Sequence, residues 1–98
     1  MMDRKECLNT AEGLITGQRA IDYGDARENH QRIASFWSTY LCKTLTPADV
    51  ANMMMLLKIA RIMETATDDS YVDICGYAAI GCEVTTPKPK TPQEIGPL

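Results

Sequence analysis

The stretch TPADVANMMMLLKIARIMETATDDSYVDICGYAAIGCE, Thr46 to Glu83, decides the fold. Thr46 as N-cap, Pro47 at N1 and Asp49 at N3 make a strong helix start. From Val50 to Met63 apolar residues fall on nearly every side. Such a helix is central to a domain, or shared between a domain core and a subunit interface. Lys58 and Arg61 mark its polar edge, and Glu64 closes it. Thr65 to Asp68 leaves room only for a tight connection, so the next helix, from about Asp69 to Cys82 or Glu83, should return antiparallel. Gly76 lies inside that second helix, where Gly costs about 1 kcal/mol against Ala. Close packing against another helix accounts for it.

Two further helices precede this hairpin. The first runs from about Arg4 to Thr16, with Asp3 as N-cap, Gly17 as stop, and Cys7, Leu8, Ala11, Leu14 and Ile15 on one face. Asp25 caps the second, with Glu28 three positions on as in a capping box. Its stripe, Ile33, Phe36, Trp37, Tyr40 and Leu41, reads as core. From Thr85 onward the sequence is rich in Thr, Pro and Lys and holds four of the five prolines, the composition of a flexible tail. The expected fold is therefore all-α. It is a compact four-helix domain over residues 1–84, with an antiparallel hairpin (about 47–64 and 69–83) and a Pro-rich tail over 85–98.

Composition narrows the function. A formal net charge of -3 argues against a nucleic-acid binder, which needs a basic surface, but leaves a single nucleotide open. No apolar run approaches the ~20 residues of a membrane span. Met1 to Lys5 is charged with no apolar run behind it, so no signal peptide is expected. Cys7, Cys42, Cys75 and Cys82 form no Cys-x-x-Cys pair, and reduced thiols in a cytoplasm are the simplest reading. A chain of 98 residues buries a modest core, and the helix from Pro47 has more apolar surface than short partners cover. A homo-oligomer through that helix is expected.

The candidate site residues cluster on two helices. Asp69, Asp73 and Tyr77 are successive i+4 neighbours along one face. Two carboxylates at that spacing can share a divalent cation and leave positions for phosphate and water. Alternatively, Asp69 is a first-turn acid favoured by the helix dipole, and Asp73 pairs with Arg61 or Lys58 across the hairpin. Asp68 reads as a cap. Asn29 extends the apolar stripe of the second helix, and a buried amide must find partners. His30, the only histidine, sits at the rim of the same face. The turn Tyr23-Gly24-Asp25 lies ready to close over both. There is no Gly-rich phosphate loop, no Ser-His-Asp order and no His pair for zinc, so nucleophilic catalysis is not expected.

The runs Tyr23-Gly24-Asp25, Glu28-Asn29-His30, Ile33-Ala34-x-Phe36-Trp37-x-x-Tyr40-Leu41, Asp49-Val50-Ala51, Leu56-Leu57-Lys58-Ile59-Ala60-Arg61 and Tyr71-Val72-Asp73-Ile74-Cys75-Gly76-Tyr77-Ala78 together resemble a family of small phage and prophage proteins. The resemblance spans nearly all of residues 5–83 and implies an all-helical accessory protein in a bacterial cytoplasm. More distantly, the hairpin ending in Asp73 is similar to the MazG-like all-α nucleoside triphosphate pyrophosphatases. In those enzymes paired acidic motifs on two helices hold magnesium, and water attacks the α-phosphate. Asp73 matches the last acid of that pattern. The first paired-glutamate motif falls on Met55 to Lys58, or on Glu64, so three spaced carboxylates stand where the family usually has four.

The resemblance thus implies a Mg²⁺-dependent pyrophosphohydrolase of a nucleoside triphosphate. Glu64, Asp69 and Asp73 would hold metal, with Asp69 and Asp73 catalytic. Lys58 and Arg61 would face phosphate, and Asn29, His30 and Tyr77 would contact base or sugar. The alternative expectation is a counter-defence factor without chemistry, which sequesters a nucleotide signal or blocks a host defence protein.

Overall fold

Four α-helices carry the computed structural model, which describes residues 1–17, 21 and 24–85: α1 (Arg4–Thr16), α2 (Ala26–Leu41), α3 (Pro47–Glu64) and α4 (Asp68–Thr85). No strand occurs among the described residues. The all-α expectation holds. Of the tail expected over 85–98, Thr85 instead ends α4, and residues 86–98, like Tyr23 of the expected closing turn, lie outside the described residues.

The starts of the helices follow their caps. The Asp3 carboxylate accepts from the Glu6 amide, and that of Asp25 accepts from the Arg27 amide. Thr46 and Asp49 form a reciprocal capping box, the Thr46 hydroxyl accepting from the Asp49 amide and the Asp49 carboxylate from the Thr46 amide. For α4 the cap is Thr67 rather than Asp68: its hydroxyl accepts from the Ser70 amide at 3.2 Å. Asp68 instead accepts from the Met2 amide at 3.0 Å and ties the beginning of the chain to α4.

α3 and α4 form the expected antiparallel hairpin. Lys58 meets Asp73, while toward the N-terminal end of α3 Ala51 meets Gly81 on the C-terminal side of α4. Among the described helices, α1 packs on α4 alone, and α2 lies against both α3 and α4. At Gly76, α4 and α1 pack closely, and an added Cβ would sit 3.1 Å from Ile15 Cγ2 of α1. Arg27 then fastens α2 to the other end of α4. Its guanidinium donates to the Glu83 carbonyl at 2.6 Å, satisfying a carbonyl of the last turn.

The core is built of small side chains: Ala11, Ala34, Val50, Ala51 and Val72. Small residues let helices approach closely, and the larger apolar residues are displaced outward as a result. Phe36 and Tyr40, expected inside, are 71% and 84% exposed. Leu8 and Leu41 are exposed as well, while Ile33 and Trp37 are half-buried. α2 is rotated so that His30 and Ala34, not the aromatic pair, face inward.

Candidate functional site

A cleft of about 450 Å³ opens between α1, α2 and α4. Ala11, Leu14 and Ile15 form its α1 wall, and Ala26, Asn29 and His30 its α2 wall. Val72, Asp73, Gly76, Tyr77 and Ile80 of α4 make the floor, with Gly24 at the edge. Gly24 has φ 76°, a left-handed conformation that suits glycine at the turn into α2. The absent side chain of Gly76 deepens the floor. Apolar walls with a few convergent polar groups are the usual make-up of a small-molecule site, and this volume falls in the usual range.

His30 is the most unusual group in the cleft. It is 4% exposed, and its Nδ1 lies 3.0 Å from the Ala26 carbonyl one turn back. A carbonyl only accepts, so Nδ1 carries the proton and the neutral ring presents Nε2 as an acceptor. Nε2 is buried and has no partner, the one such side-chain atom among the described residues. Burial holds the imidazole below its ordinary value of 6.5, against the opposing pull of the Ala26 hydrogen bond. The Tyr77 ring stands 6.3 Å away, centroid to centroid, tilted by 55°. Asn29 is half-buried one position before His30.

Asp73 reaches the same cleft but is matched. Lys58 Nζ lies 2.8 Å from its Oδ2, and both side chains are largely buried. The cation is Lys58 rather than Arg61, which is exposed, because the hairpin register brings Lys58 level with Asp73. Glu64 and Asp69 are also exposed. Among the described residues no three His, Cys, Asp or Glu side chains come together to hold a metal ion. Glu64, Asp69 and Asp73, as placed, therefore do not fit a three-carboxylate magnesium centre. Of the eight residues singled out from the sequence, Asn29, His30, Asp73 and Tyr77 share the cleft, with Lys58 behind Asp73; Arg61, Glu64 and Asp69 do not line it.

Two features had no sequence signal. Cys7 and Cys75 bring their sulfurs within 3.7 Å where α1 crosses α4, although they lie 68 positions apart. Burial and the neighbouring Cys75 thiol push the Cys7 thiol up. Arg27, in the polar first turn of α2, was indistinguishable from a solvated surface base.

A family model described as a domain of unknown function (DUF6378) matches residues 6–85. The chain belongs to this family. It is 52% identical over 93 residues to the Gene 55 protein of Mycobacterium phage L5, covering 89% of this chain and 60% of that protein. It is 47% identical over 76 residues to the Gene 55 protein of Mycobacterium phage D29, covering 76% of this chain and 49% of that one. This DUF6378 chain thus spans about half to three-fifths of the length of the curated relatives it matches. The expected likeness to small phage proteins is borne out. No solved structure matches. Neither the family description nor the relatives' names carries an activity. Among the described residues, no helix is long and apolar enough to cross a membrane.

Proposed function

We propose that this phage-family chain binds a nucleoside or nucleotide in the cleft between α1, α2 and α4, and that it acts by binding rather than by hydrolysis. The unpartnered Nε2 of His30 carries the reading. A buried polar atom left without a hydrogen bond costs on the order of 1–3 kcal/mol, which a ligand N–H or O–H donor would recover. Nucleobases bring both such donors and a flat ring. Tyr77 offers aromatic surface, and the Asn29 amide can donate and accept along one base edge. Sequestration of a nucleotide signal is the corresponding biological role.

Hydrolysis remains the competing reading because Asp73 lines the cleft. It is disfavoured because Lys58 holds that carboxylate and the other two acids stand apart. A thermal-shift series of nucleosides, nucleoside triphosphates and cyclic dinucleotides, each with and without Mg²⁺, tests the choice. A metal-independent rise in melting temperature, lost in His30→Phe, supports binding. A rise that requires Mg²⁺ and a triphosphate, followed by pyrophosphate release, turns the reading to hydrolysis. No rise with any of them overturns both and leaves a protein partner as the alternative.

A further inference from the structure

We propose that Cys7 and Cys75 form a dithiol modification site, which a low-molecular-weight disulfide oxidises to a covalent bond between α1 and α4. The two thiols lie 68 positions apart in the chain, yet their sulfurs stand 3.7 Å from each other where the helices cross. That is van der Waals contact, and a disulfide needs about 2.05 Å. Rotation of the side chains closes such a gap, and neither cysteine is sealed in the core, since both are half-buried. A reagent can also reach them. Both line a second cavity, of about 250 Å³, beside Met2, Arg4 and Tyr71. This cavity shares no lining residue with the cleft, so the inference is independent of what the cleft binds.

The exchange balances with no other reactant. One cysteine thiolate attacks a sulfur of the reagent, whose S–S bond breaks as a mixed disulfide forms on the protein. The departing thiolate takes up the proton that the cysteine gave. The second cysteine thiolate then attacks the protein sulfur of the mixed disulfide. The Cys7–Cys75 bond forms, and the second reagent thiolate leaves and is protonated in turn. Two protein thiols are thereby oxidised, and one reagent disulfide is reduced to two thiols. The bond has a mechanical consequence. Among the described helices α1 packs on α4 alone, so a cross-link at this crossing fastens it where it has no other neighbour. The loop it closes spans the whole 68-position separation, and long loops are those whose closure stabilises most.

Incubation of the folded 98-residue chain with excess glutathione disulfide tests the proposal, read by mass spectrometry of peptides cleaved without reductant. The expected product is a peptide pair joined through Cys7 and Cys75. It should form about tenfold or more faster in the folded chain than in urea, where the fold no longer holds the two sulfurs together. The bonded chain should melt about 10 °C or more higher, and a dithiol reductant should return it to the starting value. Cys7→Ser and Cys75→Ser should each stop at a mixed disulfide on the remaining member of the pair. The exposed Cys42 and Cys82 are internal controls. Glutathione adducts confined to those two, with Cys7 and Cys75 left as thiols, overturn the inference. So does a Cys7–Cys75 bond that forms no faster than in urea, or one that does not raise the melting temperature. The wild-type reaction decides by itself should either variant fail to fold.

Discussion

Asp73 and His30 line the same cleft, yet the hairpin side of the molecule matches its polar group and the α2 side does not. Lys58 Nζ stands 2.8 Å from the Asp73 carboxylate, whereas His30 Nε2 is buried with no partner among the described residues. The α3/α4 interface is closed by its own residues, so its polar pair fixes the register of two helices. The cleft is left open between three helices, and its unmatched atom points to something the described residues do not supply. A buried carboxylate is the more conspicuous feature in sequence. The unmatched imidazole carries more information about function.

The largest effect should come from breaking the matched pair. Asp73→Asn leaves the Lys58 ammonium largely buried without its counter-charge. It should lower stability by about 2 kcal/mol, or roughly 10 °C in Tm, as read by chemical and thermal denaturation. Adding Lys58→Met should restore most of the loss. If the double variant is no better than the sum of the singles, the pair is not what holds this register.

The second effect is one of pH and belongs to the unmatched side. The folded His30 holds its proton less tightly than its ordinary value of 6.5. Below that pH the unfolded chain therefore binds more protons than the folded one, and stability falls as pH drops until the folded ring is itself protonated. Acid denaturation curves between pH 7 and pH 5 should show this fall, and His30→Gln should remove it. Identical curves for the two proteins would mean that His30 is not desolvated as described.

The contrast also separates what the sequence made legible from what it did not. Three of the four described helix starts were legible because caps are local: Asp3, Asp25 and the Thr46–Asp49 box act within three residues, whereas α4 is capped by Thr67 instead of Asp68. The antiparallel hairpin followed from a short connection. The choice of Lys58 over Arg61 was not legible, because positions three apart differ by less than a turn and only the packed register of α3 against α4 distinguishes them. The inward face of α2 was misread for another reason. Its aromatic stripe is wider than a small chain can cover, and the helix turns its small Ala34 inward to pack closely, carrying His30 with it. A lone histidine gives no sequence pattern that announces burial. The cleft itself depends on three helices meeting, which no local pattern encodes.

Smaller effects sharpen the comparison. Gly76→Ala adds a Cβ 3.1 Å from Ile15 Cγ2 at the cleft floor. The gain in helix propensity and the crowding should nearly cancel, for a net change within about 1 kcal/mol. Ligand affinity should fall more than stability does, because α1 is displaced where it walls the cleft; titration of the variant beside wild type reads the difference. Arg61→Ala should be the mildest, within about 0.5 kcal/mol by denaturation, because its side chain is exposed. A loss as large as that of Asp73→Asn would transfer the pairing role to Arg61.

The central claim, that His30 Nε2 is a desolvated acceptor awaiting a ligand donor, can be read at one residue, since the chain holds a single histidine. Nitrogen NMR of the labelled imidazole, followed through a pH titration with and without the ligand that raises the melting temperature most, measures it directly. The account predicts a neutral ring protonated at Nδ1 that titrates below its ordinary value, with a ligand-induced shift at Nε2. A ring that titrates at the ordinary value, with an Nε2 signal no ligand moves, would contradict it.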